Sequence, residues 1–183
     1  IAVFPMDYMH QACLGVMRRL IITWMRGKER RLRIDARQIS IVSERLLALK
    51  ASIPSTFARK PRTLLEIDRW KATEFRQFLM YTGMLTLKGV LSDQVFHHFL
   101  QLSAAFRILA SKTAVQDDQT FQFAKALLFS FVSKASLIYG PEILVYNVHS
   151  LLDIAEDARR YGSVDECSAF VFENYLHHVK KLV

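Results

Sequence analysis

FQFAKALLFSFVSKASLIYG, residues 121–140, is the stretch whose reading decides the fold. It reads as the core of one long helix running from about Gln116 to Tyr139. The helix is apolar on most of its circumference, which predicts that it forms the buried centre of the molecule. Gly140 ends it, and Pro141 opens the next element at a position where a missing N–H does no harm. Moving upstream, Ser92-Asp93 caps a helix that reaches about Ser111, with Phe96, Phe99, Leu100, Ala104 and Ile108 turned inward. WKATEFRQFL (70–79) also has helical spacing, and a break is expected between Gly83 and Gly89. Pro54 and Pro61 bracket the one clear loop. Before it, a helix runs from about Ile34 to Ala51 with Ile39, Val42, Leu46 and Leu49 inward. The first helix starts at Asp7 as N-cap, buries Met9, Ala12, Cys13, Val16, Leu20 and Trp24, and stops at Gly27. Residues 1–5 read as the end of a strand. Downstream of Gly140, helices are expected at 142–161 and about 166–183, separated by Gly162-Ser163. No repeat and no sheet-type alternation occurs, so the expected fold is all-α.

Composition agrees with this. The 183 residues suffice for one domain with a real core. Hydrophobic residues make up 51% and charged residues 23%, which excludes a disordered chain. Thirteen Phe against six Gly and four Pro favour long elements over many short strands and turns. The net charge of +8 points to a polyanionic partner, with improved solubility as the plainer alternative. Cys13 and Cys167 make no disulfide framework and read as small buried groups in a reducing compartment. The start, IAVFPMDYMH, has no basic region of a signal peptide, and no uncharged apolar run reaches membrane-span length. Because the chain opens in IAVF, it is expected to be a piece of a longer polypeptide.

Chemistry concentrates at the two ends. NVHSLLDIAEDARRYGSVDECSAFVFENYLHHVKK (147–181) holds His149 and Asp153 one helical turn apart, and then Glu173 inside the frame Phe170-Val171-Phe172-Glu173-Asn174-Tyr175. At the other end Asp7-Tyr8-Met9-His10 places Asp7 and His10 one turn apart. Such pairs present two ligands on one face, so Asp7, His10, His149 and Asp153 form a candidate zinc clamp, with Cys13 as a substitute ligand. The plainer reading of a lone His is a hydrogen-bonded core imidazole. His97-His98 and His177-His178 point different ways on a helix and read as non-ligands. Basic runs at 26–37 and 59–62 single out Arg30, Arg31, Arg33, Arg59, Lys60 and Arg62 as phosphate-neutralising residues, against the alternative of solvated helix ends and a linker. No Ser/His/Asp or Cys/His nucleophile pattern, glycine-rich phosphate loop or Cys-x-x-Cys knuckle is present.

DYMH (7–10) followed by LGVMRRL (14–20), RKPRTLLEIDRWKATEFRQFLMYTG (59–83) and YNVHSLLDIAEDARRYGSVDECSAFVFENYL (146–176), in that order, resembles the C-terminal half of transposases encoded by CACTA-type (En/Spm-like) DNA elements of animals. The likeness covers almost the whole chain. It implies a DDE transposase with an RNase-H-like fold whose sheet lies mostly outside these residues. The 183 residues would then be one helical domain: an entry segment (1–25), a helical insertion (26–146) and a return segment (147–183). The resemblance places Glu173 on the last acid of the catalytic triad, and Asp7 and His10 on the family's Asp-x-x-His motif. Asp7 is then either the second acid or a metal-site and capping residue just beyond it. Hard Mg²⁺ or Mn²⁺ would be the catalytic cations. The family usually has a second His where Asp153 stands, and the first catalytic Asp would precede residue 1. The resemblance further implies metal-dependent strand cleavage and strand transfer by a nuclear, DNA-binding parent enzyme acting on transposon ends and target DNA. A homo-oligomer is allowed, no membrane is involved, and these residues alone are inactive. The rival expectation is a non-catalytic helical DNA-binding or protein-interaction module derived from a transposase.

Overall fold

The computed structural model describes residues 5–170 together with residues 172 and 175. Every regular element among them is helical. The chain first winds as a wide π-helix over Met9–Met17 and tightens into α1, Arg18–Arg26. Met9, Ala12, Cys13, Val16, Leu20 and Trp24 are buried as their spacing predicts, and Met17 and Ile21 join them. Gly27 leaves the helix in extended geometry. A short 3₁₀ turn at Arg30–Leu32 leads to α2, Ala36–Ala48. α2 begins at Asp35, which accepts from Gln38 N at 2.7 Å while Gln38 Oε1 accepts from Asp35 N at 2.8 Å. This reciprocal capping box fixes the start two residues after Ile34.

The loop with Pro54 and Pro61 ends in a 3₁₀ segment, Leu64–Arg69. α3 (Ala72–Gln77) continues through a π-turn, Phe78–Thr82, into α4 (Gly83–Thr86). Gly89, at φ +72°, makes the expected break. α5 (Asp93–Leu109) and α6 (Asp118–Tyr139) pack side by side. Gly140 ends α6 at φ +94°, and a 3₁₀ turn at Pro141–Ile143 follows. The single helix expected over 142–161 is divided into that turn, α7 (Tyr146–His149) and α8 (Leu151–Tyr161). Beyond Gly162 the chain turns, and residues 170, 172 and 175 are helical again. The expected strand falls on residues 1–5, of which 1–4 lie outside the described residues.

α6 is not the buried centre. Phe121, Ala124, Leu128, Phe131 and Ala135 are buried, but Phe123, Phe129 and Leu137 are 57%, 65% and 74% exposed. The centre is α5, which touches α6, α8 and the π-turn. Its buried stripe is Val95, Phe99, Leu102, Phe106 and Leu109, while Phe96, Leu100, Ala104 and Ile108 are only half-buried. Amount of apolar surface says that a helix packs, but not how many sides find neighbours. Phe99 is the hub, edge-on to Trp24 at 5.9 Å and tilted against Phe78 at 6.3 Å. Gly83 lets α4 reach this hub, since a Cβ there would lie 2.7 Å from the Phe99 ring.

Candidate functional site

The entry segment and the return segment meet at one junction, built on the first turn of the N-terminal helix. Met6 N donates to Asp157 Oδ2 of α8 at 2.7 Å. Asp7 Oδ1 accepts from Met9 N at 3.1 Å and from Ala169 N at 2.9 Å, while Asp7 Oδ2 pairs with His10 Nδ1. The next residue, Tyr8, points the opposite way and is fully buried. Its ring stacks on Phe106 at 6.0 Å and meets Phe170 edge-on at 5.7 Å. Its hydroxyl donates to Asp165 Oδ1 at 2.5 Å and accepts from Arg76 Nε at 2.6 Å. Arg76 closes the triangle by donating from its other arm to Asp165 Oδ2 at 2.7 Å.

Electrostatics fix the protonation of this group. Burial raises the Tyr8 hydroxyl far above its usual value, aided by the nearby acid groups and opposed by Arg76. Tyr8 therefore remains a donor. Burial works against the Arg76 charge, but Tyr8 and Asp165 outweigh it and hold the guanidinium protonated. Burial also raises the Cys13 thiol strongly. The Cys167 thiol is pushed up to about 11, first by burial and then by Asp157, Asp7 and Asp165. Both cysteines are thus thiols at neutral pH and not activated nucleophiles, and no disulfide joins them.

α7 packs on the same N-terminal helix. Gly15 permits this, because a Cβ there would run into the Asn147 amide, and Ser150 Oγ donates to Gln11 Oε1 at 3.2 Å. The two motif-bearing ends are therefore neighbours. Their four candidate zinc ligands are not gathered. Asp7 and His10 pair with each other, whereas His149 and Asp153 are both exposed. No group of three or more His, Cys, Asp and Glu side chains is placed as metal ligands among the described residues. Among the described residues, the four zinc candidates are therefore not brought together as a clamp. Glu173 lies outside the described residues.

The basic residues divide into two kinds. Arg62 donates from Nε to Glu74 Oε1 at 2.6 Å and from NH2 to Glu74 Oε2 at 2.7 Å, and also reaches Arg69 O at 2.5 Å. Glu74 is only 3% exposed, so Arg62 is the counter-charge of a buried acid and not a free phosphate ligand. Arg31 donates to Ile138 O at 3.2 Å, and Lys60 donates to Ile53 O. Arg31 and Lys60 are exposed all the same, and so are Arg30, Arg33 and Arg59.

No known protein family, curated protein or solved structure matches this chain.

The geometry also shows residues that the sequence does not single out. Tyr8 and Asp165 sit inside the two chemically loaded stretches, yet nothing in their spacing links them across 157 positions. Arg76 carries no sequence signal at all. In the first of the two adjacent His pairs the members point different ways, as expected for neighbours on a helix. His97 Nδ1 lies 2.7 Å from Asp93 O on its own helix, while His98 is buried and stacks on Phe131 at 4.2 Å. His177-His178 lies outside the described residues.

Proposed function

We propose that this chain is the helical insertion and return segment of a DDE-type DNA transposase, or of a host protein derived from one. The observation that carries this reading is the junction of the chain's two ends. An insertion must leave and re-enter its host fold at one place. Here the entry segment at Met6–Tyr8 is tied to Asp157, Asp165 and Ala169 of the return segment by direct hydrogen bonds. The resemblance to CACTA-type transposases supplies the activity: cleavage of DNA strands at transposon ends and their transfer to target DNA, in the nucleus. On this reading Glu173 is one of the carboxylates that hold Mg²⁺ or Mn²⁺ in the full-length enzyme. Asp7 is a weaker choice for a second, because both its oxygens are already engaged. No reaction step is assigned to the cations, since the described residues do not assemble their site.

The same engagement of Asp7 favours one second reading, a non-catalytic helical module kept for DNA or protein binding. A single substitution separates the two. Glu173→Gln keeps the shape of the side chain and removes its charge. In the full-length protein it should abolish cleavage and strand transfer while leaving DNA affinity within about twofold of the parent. Full strand-transfer activity in Glu173→Gln would dispose of the catalytic assignment. A full-length parent that never cleaves would leave the module.

A further inference from the structure

We infer that Asp7, braced by His10, is a helix cap supplied across the chain: it holds the helix start at Ala169 and Phe170 and positions it, and it is not a cation ligand. The first N–H groups of any helix lack partners within it and need acceptors from elsewhere. This helix start finds two. Ser168 Oγ accepts from Phe170 N at 3.1 Å, which is a local cap. Asp7 Oδ1 accepts from Ala169 N at 2.9 Å across 162 positions of sequence. The same oxygen accepts from Met9 N at 3.1 Å, so one carboxylate oxygen serves the first turns of two helical segments at once.

Its charge suits the place, because N–H dipoles at a helix start favour an anion. His10 holds the second oxygen, which restricts rotation of the carboxylate about its axis. The contact is also protected. The Asp7 side chain is 25% exposed, Ser168 is 4% exposed, and the Phe170 ring lies edge-on against Tyr8. An acid placed to hold cations would need open oxygens. This one has Ala169 N and Met9 N on one oxygen and His10 on the other. The cap stands on this geometry alone. Its consequence for strand transfer, that Asp7 positions the return stretch, rests on the transposase reading.

The test compares three variants of this 183-residue chain by amide hydrogen exchange resolved at single residues. Asn is as good a cap as Asp, because it keeps an acceptor oxygen. Exchange at Ala169 in Asp7→Asn should stay within about twofold of the parent, while Asp7→Ala should speed it about fivefold or more. His10→Ala should speed it about twofold, with the α5 amides unchanged in every variant. Unchanged exchange at Ala169 in both Asp7→Ala and His10→Ala overturns the cap. If Asp7→Ala does not fold, His10→Ala decides alone: faster exchange at Ala169 supports the cap, and none overturns it. A second arm uses the full-length enzyme. A positioning Asp7 predicts that Asp7→Asn retains most strand-transfer activity and Asp7→Ala loses it. A dead Asp7→Asn enzyme with Ala169 still protected would make Asp7 a cation ligand and overturn the inference. Failure of the transposase reading looks different, because Glu173→Gln would then be as active as the parent while the exchange results stood.

Discussion

Glu74 shows how one residue decides the role of another. It sits on α3 with its side chain 2% exposed, and a carboxylate at that depth is costly unless it is paired and hydrogen-bonded. Arg62 supplies two parallel N–H groups, and Lys71 N donates to Glu74 Oε2 at 2.9 Å. The Arg62 side chain is 28% exposed, so the pair is well shielded but not dry. Removing the arginine would leave the acid buried without its counter-charge. Arg62→Ala is therefore expected to lose about 3 kcal/mol of stability, toward the lower end for a broken buried pair. Arg59→Ala, on the exposed loop nearby, should change stability by less than about 0.5 kcal/mol. Urea denaturation of the two variants checks both, and equal midpoints would show that Glu74 does not depend on Arg62.

At the scale of elements, the α5–α6 pair carries a titratable group inside its seam. His98 of α5 is 3% exposed, with Nε2 2.8 Å from Phe131 O and Nδ1 3.3 Å from Tyr139 OH, both on α6. Burial is the largest influence on it and lowers its pKa to about 4, opposed by the Phe131 carbonyl and aided by Lys134. The neutral ring is thus the folded form. The unfolded chain takes up this proton near pH 6.5, the folded chain only near pH 4. Stability from this group is complete above about pH 6.5 and is lost as pH falls toward 4, by up to about 3 kcal/mol. His98→Gln removes the titration. Its stability should vary less between pH 6.5 and 4 than the parent's, and parallel curves would assign the acid loss to other groups.

For the whole molecule, the surplus of positive charge matters through where it stays free. Of the six basic residues singled out in the sequence, Arg62, Arg31 and Lys60 make contacts within the fold. Arg30, Arg33 and Arg59 are exposed without such a contact being shown. On the transposase reading, DNA binding through them should weaken linearly in the logarithm of salt concentration, because each phosphate contact releases counterions. Neutralising these three should lower that salt slope by about one for each phosphate no longer neutralised, with little change in melting temperature. Fluorescence anisotropy titrations at several salt concentrations measure the slope. An unchanged slope in the triple variant would assign the net charge to solubility.

The sequence alone determined the fold class, because helical spacing of apolar residues recurs along nearly every segment and each helix needs only its own backbone to form. It also located the breaks at Gly27, between Gly83 and Gly89, at Gly140 and at Gly162, and Gly89, Gly140 and Gly162 adopt a positive φ that other residues avoid. It marked both ends of the candidate site, Asp7-x-x-His10 and the return stretch, as chemically loaded. Tertiary structure decided everything that depends on one segment meeting another. Periodicity reports that a face is apolar and is silent on what covers it, so α5 and not α6 became the centre. Charge in a sequence run has no partner until the chain folds, so Arg62 became the counter-ion of Glu74. Asp7 has the same side chain whether it binds a cation or caps a helix. The approach of Ala169 across the junction added a partner from the far end of the chain, because that contact depends on how α3, α5 and α8 together bring the two ends to one place.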